Sequence, residues 1–276
     1  MRAHSLLPII PAVFALLATA CSNTPVAAET ETETETETGE PVELSCLDTD
    51  TPGDDIVINF DSAIDELALG ECVPERLLIT GGGVTDLSGL AHLREVGVLE
   101  IRFTPQLESL AGLDQLERIG TLIITGNAKL TSLPSFAVLD RVSTIRITGN
   151  DILDDLGSFP ALTTLRNLEI SSNPLLTDFS GFEALTSTTG FVELWDATLV
   201  PDLSGFEALA SVGGDLRIET MPALTSLAGL GVSSVGGNLR IVSNVKLDEC
   251  LIDDFVAEVD VGGATIISGN KSGFCG

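Results

Sequence analysis

LRIETMPALTSLAGLGVSSVGGNLRIVSN, residues 216–244, states the same phrase twice: the pair Leu216/Ile218 returns 23 residues later as Leu239/Ile241. Outward from this stretch the L-x-I pair recurs at Leu77/Ile79, Leu99/Ile101, Leu122/Ile124, Ile145/Ile147, Leu168/Ile170 and Val192/Leu194. The steps along the chain are 22, 23, 23, 23, 24, 24 and 23 residues, and so constant a spacing marks a repeat architecture. After the pair the units continue in an N-x-x-L-x-x-L phase: Asn127, Leu130, Leu133; Asn150, Leu153, Leu156; Asn173, Leu176, Phe179. The apolar period thus shifts from two to three.

Alternation at period two means a strand with one buried face, and one strand per rung means that consecutive strands run parallel. A single rung cannot bury its own apolar stripe, but stacked rungs share one continuous core. The composition agrees, with 44% hydrophobic residues of which few are aromatic (4% of the chain). The expected fold is mainly β: a right-handed, single-domain solenoid of about eight or nine rungs with parallel strands. Gly97, Gly120 and the pairs Gly213-Gly214 and Gly236-Gly237 stand just before the strands, where a tight bend favours positive φ. Asn at the strand exit is expected to bond the backbone of its own turn and the next, and Ala197 and Met221 replace it in two rungs.

The solenoid occupies residues 45–276, with an N-terminal cap at 45–76, repeats at 77–246 and a C-terminal cap at 247–276. Ile56 to Phe60 can add an opening strand. At the other end, Leu251, Phe255, Val256 and Val259 space as a short helix covering the open end, and a final strand around Ala264 to Ser268 leads to Asn270.

The N-terminus has a different logic. Arg2 precedes a short apolar run, Leu6 to Leu17, broken by Pro8 and Pro11 and too short to span a bilayer. The segment Leu17-Ala18-Thr19-Ala20-Cys21 resembles the lipobox of bacterial lipoproteins. That resemblance implies a signal peptide at 1–20, lipidation of Cys21, export, and attachment to a membrane through the acyl chains. Ser22, where an Asp would favour inner-membrane retention, implies the outer membrane or cell surface. Residues 21–44, with the run TETETETET, hold no apolar residue able to form a core and read as a disordered acidic tether. With Cys21 consumed, Cys46, Cys72, Cys250 and Cys275 remain, an even number suited to an oxidising compartment. They cluster at the two ends of the chain, which the rungs separate by several strand spacings of about 4.8 Å, beyond the reach of a disulfide. The expected pairs are therefore Cys46 with Cys72 and Cys250 with Cys275, capping the two ends.

Catalytic equipment is thin. The net charge of -28 disfavours nucleic acid as a partner. His4 falls in the signal segment, and His92 stands at a loop or turn position, so a catalytic triad or a His-based metal cluster is not expected. Ser88, Ser180 and Ser204 recur in D-L/F-S-G turns with no base beside them, and no phosphate-binding loop or C-x-x-C is present. The pairs Asp54-Asp55, Asp154-Asp155 and Asp253-Asp254 match no EF-hand loop and read as solvated turn or helix-end charges. The expectation is a protein without catalysis, metal or cofactor.

LTSLAGL followed by VGGNLRIVSN resembles the repeat of receptor L domains and the related leucine-rich-like repeats of bacterial surface lipoproteins, over about residues 77 to 275. The resemblance implies an L-domain style of β-helix and leaves the ligand open.

The outward strand positions carry the functional reading. Within each L-x-I pair they are Leu78, Glu100, Ile123, Arg146, Glu169, Glu193, Arg217 and Arg240, and the next outward positions are Thr80, Arg102, Thr125, Thr148, Ser171, Trp195, Glu219 and Val242. Neighbouring rungs set Arg146 against Glu169 and Glu193 against Arg217, so this face is near neutral on an acidic protein. Arg102, Arg146, Glu169, Glu193, Trp195, Arg217, Glu219 and Arg240 form the candidate binding face, for an unknown protein or glycan. Two rival readings are a structural envelope component whose charge pairs only fix register, and a polysaccharide-active enzyme using Glu169 and Glu193 as acid and base.

Overall fold

The computed structural model describes residues 55–67 and 69–273. The main sheet contains β1 (Ile56–Phe60), β2 (Cys72–Gly83), β3 (Glu95–Arg102), β4 (Arg118–Thr125), β5 (Arg141–Thr148), β7 (Asn167–Ser171), β9 (Val192–Trp195), β11 (Leu216–Glu219), β13 (Leu239–Val242) and β15 (Thr265–Ser268). A second, smaller sheet contains β6 (Thr164–Leu165), β8 (Ser187–Thr188), β10 (Ser211–Val212), β12 (Ser234–Val235) and β14 (Asp260–Val261). In the main sheet each strand pairs in parallel with the strand of the next rung, so the chain winds a β-solenoid of about nine turns. The register follows the L-x-I pair: Leu77 faces Leu99, then Leu122, Ile145, Leu168, Val192, Leu216 and Leu239. The opening strand at Ile56–Phe60 and the closing strand at Thr265–Ser268 form as expected.

The second sheet begins at Leu165 and continues through rungs whose corner is one residue longer. In β3, β4 and β5 one eight-residue strand carries both Val96 and Leu99, Ile119 and Leu122, or Val142 and Ile145, always three residues apart. From β8 onward the corresponding pairs, Thr188/Val192, Val212/Leu216 and Val235/Leu239, are four apart. The added residue, accommodated by Gly213-Gly214 and Gly236-Gly237 in two of these rungs, widens a corner that already divides β6 from β7, where Leu165 and Leu168 are still three apart.

Those glycines do not adopt the positive φ expected of them; none of Gly97, Gly120, Gly213, Gly214, Gly236 and Gly237 is left-handed. They are required by close approach. A Cβ on Gly97 would run into the Pro74 carbonyl oxygen, and one on Gly213 would lie 2.6 Å from the carbonyl oxygen of Thr189. Left-handed backbone occurs instead directly after each main strand from β3 to β15, at Phe103, Gly126, Gly149, Ser172, Asp196, Thr220, Ser243 and Gly269, and at Gly81 near the end of β2. These amides continue the inter-rung ladder, as in Phe103 N–H to Thr125 O (3.0 Å) and Thr220 N–H to Val242 O (2.9 Å). The reversal needed at every strand exit is thus imposed even on bulky and β-branched side chains, which disfavour it by about 1–2 kcal/mol.

Immediately beyond this residue stands the asparagine column. Asn127, Asn150 and Asn173 are buried, and each Oδ1 of Asn150 and Asn173 accepts the backbone N–H of the asparagine one rung back, both at 3.0 Å. Each Nδ2 donates to a strand carbonyl of the preceding rung: Ile101, Ile124 and Ile147. Thr104 ends the ladder by donating its N–H and hydroxyl to Asn127 Oδ1. The same pattern restarts at Asn244 and Asn270, where Asn244 accepts the Met221 N–H at 2.9 Å. Ala197 and Met221 supply no side-chain acceptor and interrupt the column with buried apolar groups.

Beyond the asparagine every third residue is buried, as in Leu130, Leu133, Phe136 and Leu139. One of these columns is aromatic: Phe136, Phe159, Phe182 and Phe206 stack with ring centroids 5.1, 4.9 and 5.9 Å apart, an arrangement the 4% aromatic content did not suggest. The spacing is that of the rungs, so the rings gain offset stacking at no cost in register.

The ends depart from the repeat. A short helix, α1 (Ser62–Leu67), not foreseen from the sequence, follows β1. The expected C-terminal helix, α2 (Glu249–Glu258), is capped by Asp248, whose side chain accepts the Cys250 N–H at 3.1 Å. Its buried anchor is Ile252, whereas Leu251, assigned to the apolar face, is 44% exposed. The helix lies within the last turn, before β14 and β15, so the outermost strand is β15, whose residues Thr265, Ile266 and Ser268 are exposed. Cys72 opens β2 and Cys250 lies in the first turn of α2, and neither is free. The signal segment, Cys21, the tether, Cys46 and Cys275 lie outside the described residues.

Two substitutions separate the contributions of the strand exit. Asn150→Ala removes the acceptor of the buried Asn127 N–H and is expected to cost about 3 kcal/mol. Thr220→Gly relieves left-handed strain at an exposed site and is expected to gain about 1 kcal/mol. Denaturant midpoints for both variants check the pair of opposite signs.

Candidate binding face

Alternate residues of the parallel strands point away from the core, and in-register stacking sets them in straight columns across the rungs. The first part of the face differs from the expectation. Leu78 and Glu100 are each only 7% exposed. Glu100 is covered by two guanidinium groups: Arg76, which also binds Asp55 at 3.0 Å, and Arg102 at 3.0 Å. Arg76 escaped the sequence reading because it precedes the L-x-I pair, although it has the same outward parity.

The larger charge cluster lies on β5 to β13. Both expected pairs form, Arg146 Nε to Glu169 Oε2 at 2.6 Å and Arg217 to Glu193 Oε1 at 3.0 Å. Register also places Glu169 beside Glu193 and Arg217 beside Arg240. The like charges are resolved by turning outward in opposite senses: Glu169 toward Arg146, Glu193 toward Arg217, and Arg240 diagonally to Glu219 at 2.6 Å. Trp195, 39% exposed, sits in register between Ser171 and Glu219. Arg102 does not join this cluster, because β4 intervenes with the uncharged Ile123 and Thr125.

A third outward column, just before each L-x-I pair, adds residues that were not selected from sequence: Asn167, Phe191, Asp215 and Asn238. Asn167 Oδ1 accepts the Phe191 N–H at 3.2 Å, and Asp215 Oδ1 accepts the N–H (2.8 Å) and amide (3.1 Å) of Asn238. Around this column lies an open depression of about 430 Å³, lined by Arg166, Asn167, Thr189, Gly190, Phe191, Glu193, Gly214, Asp215 and Arg217. Burial pushes the Glu193 carboxyl up, against the pull of Arg217 and with reinforcement from Glu169 and Glu219. Asp215 is held below the usual carboxylate range, first by the Asn238 N–H and then by the Asn238 amide, Arg217 and Arg240, against its own desolvation.

Elsewhere the polar groups serve turns. The hydroxyls of Ser88, Ser180 and Ser204 do have a carboxylate beside them, contrary to expectation: each donates to the Asp two residues earlier, which also accepts the serine N–H. These are Asx turns, and they consume Asp86, Asp178 and Asp202. Asp155 likewise accepts the Gly157 N–H at 2.8 Å, while Asp253 and Asp254 lie in the middle of α2 rather than at its end. His92 is exposed in a turn. Among the described residues no three His, Cys, Asp or Glu side chains come together as a metal site.

Asp215 makes the face a source of acid sensitivity. A carboxyl with a lowered folded pKa stabilises the fold above its unfolded pKa of about 3.9, and that contribution is lost as pH falls through the lower folded value. In Asp215→Asn the thermal midpoint should therefore fall less steeply than in wild type between about pH 4 and pH 2; equal slopes would remove Asp215 from the acid limb. No family model matches the chain, and neither curated proteins nor solved structures match it.

Proposed function

We propose that this protein is a lipid-anchored lipoprotein of the cell envelope, in the outer membrane or at the cell surface, acting as a non-catalytic binding or adhesion module through the outward strand face of its solenoid. The observation that carries the reading is the concentration of Trp195, Phe191 and three arginine–glutamate pairs on adjacent rungs beside an open depression. Exposed aromatic and arginine side chains over a rigid, hydrogen-bonded sheet are the composition of recognition surfaces. The absence of catalysis is part of the proposal. Glu169 and Glu193 are register neighbours, but each is engaged by its own guanidinium, so neither is set aside for proton transfer.

A glycan and secreted-protein array, read with wild type and with Trp195→Ala and Arg217→Ala, tests the face. Binding that falls at least about tenfold in both variants supports it, and full retention in both assigns binding elsewhere. Turnover of any arrayed glycan that disappears in Glu169→Gln would make the protein an enzyme.

The anchor and the cysteine pairs belong to the same proposal. The lipobox-like segment ending at Cys21 supports lipidation, and the tether after it supports display away from the bilayer. The pairing of Cys250 with Cys275 is supported by the approach of the chain two residues earlier, where a Cβ on Gly273 would lie 2.8 Å from Cys250 Sγ. Cys72 lies many rungs away, in keeping with its own pairing to Cys46. Non-reducing peptide mass mapping of the purified envelope protein should find an acylated N-terminal Cys21 and the bridges 46–72 and 250–275. An unmodified Cys21, or a bridge between Cys46 and Cys275, overturns the corresponding part.

A further inference from the structure

The rung at β9 is unlike its neighbours. Its three outward side chains are Phe191, Glu193 and Trp195, and no other rung from β2 to β13 has an aromatic in any of the three outward columns. Alternate residues advance about 6.6 Å along an extended chain, so the backbone positions of Phe191 and Trp195 lie about 13 Å apart with Glu193 between them. Beside Phe191 and Glu193 the surface drops into the depression of about 430 Å³. Its floor includes the bare backbone of Gly190 and Gly214, where a Cβ on Gly214 would lie 2.8 Å from the Gly190 carbonyl carbon.

Three arginines around this strand are already matched, Arg217 with Glu193, Arg146 with Glu169 and Arg240 with Glu219, whereas Arg166, exposed at the edge of the depression, has no ion pair among the described residues. An anionic ligand would find only Arg166 unengaged, would otherwise have to displace these carboxylates, and would approach a chain of net charge -28. A cationic ligand would have to displace the guanidinium groups. A neutral polyhydroxylated chain needs neither. Its ring faces stack on aromatic side chains, and its hydroxyls accept from guanidinium N–H groups and donate to the lone pairs that the ion pairs leave over. Arg217, 42% exposed at its side chain, retains donors beyond its bond to Glu193.

We infer that Phe191, Glu193, Trp195 and Arg217, with the depression beside them, form a subsite for a neutral oligosaccharide that lies along β9 and stacks on Trp195 and Phe191. This inference rests on the binding-face reading and gives it a ligand class.

The chain contains one Trp and no Tyr, so emission excited at the red edge of the tryptophan band reports on Trp195 alone. The full-length protein is titrated with neutral oligosaccharides of glucose, mannose and N-acetylglucosamine, and with oligogalacturonate and oligolysine as charged counterparts. At least one neutral oligosaccharide should change the emission saturably, with a dissociation constant of about 10 μM to 1 mM. Calorimetric affinity for that sugar should fall at least about tenfold in Trp195→Ala and in Phe191→Ala and stay within a few fold in Trp195→Phe. Unchanged thermal midpoints in the variants keep the comparison on binding. Silence of every neutral sugar, with a response to a charged oligomer or to a protein from the array, overturns the ligand class and leaves the face standing. A neutral sugar bound equally well by Trp195→Ala and Phe191→Ala overturns the subsite and the face together. Silence toward every probe overturns the inference, and the array alone then decides the face.

Discussion

Parallel, in-register stacking is the constraint from which the rest follows. Every residue of a rung lies about 4.8 Å from its counterpart in the next, so each position must tolerate a near copy of itself as its neighbour. Leucine, isoleucine and phenylalanine satisfy this by dispersion and ring stacking, and the columns through Leu77 and Phe136 are built from them. Asparagine satisfies it in a different way, because its amide holds both a donor and an acceptor and can repeat indefinitely with every polar atom engaged. That is why a polar side chain runs through the interior at Asn127, Asn150 and Asn173. Where Ala197 and Met221 interrupt the column, the interior reverts to the apolar solution.

Charge is the one property that cannot repeat. A column of like charges at rung spacing repels itself, and the outward face shows how the conflict is met. Opposite signs alternate at Arg146 and Glu169, and a diagonal reach rescues Arg240 beside Arg217. The large acidic surplus is kept off this sheet. Part of it serves as local turn formers, such as Asp86, Asp178 and Asp202, whose carboxylates bind backbone within two residues. The outcome is a balanced strip with two aromatic rings on a strongly acidic body.

The solenoid was legible because its signal is arithmetic: a period-two pair returning after 22 to 24 residues survives changes in every other position. The ion pairs Arg146–Glu169 and Arg217–Glu193 were legible for the same reason, since register follows from spacing. The two-residue strands of the second sheet are too short to carry a period-two signal and become visible as strands only through the backbone path. Glycine misled in an informative way. It reads by default as a left-handed residue, yet Gly97 and Gly213 are needed for room, while the left-handed strand exits fall on Phe103 and Thr220, which composition never marks, as well as on Gly126 and Gly149. Arg76, Phe191 and Asp215 had the parity of the outward face and were missed because the pair that sets the frame begins one residue later. At α2, a spacing that fits one helical face was assigned to Leu251 when the neighbouring Ile252 makes the contact, a shift of about 100° around the helix.

The left-handed residue after each main-sheet strand from β3 onward closes each rung on itself in the same way, at Phe103 as at Gly269. Entry and exit of a rung are therefore geometrically equivalent along the stack. A segment of one rung's length, copied in tandem, would add one more layer with its hydrogen bonds, its core columns and its asparagine all supplied by its own sequence. Rungs here already differ by a residue or two, absorbed at their corners, but a copy well short of or beyond a whole rung would break every column at once. Such a chain can lengthen or shorten only in whole layers, and the reach of its outward face would grow with them.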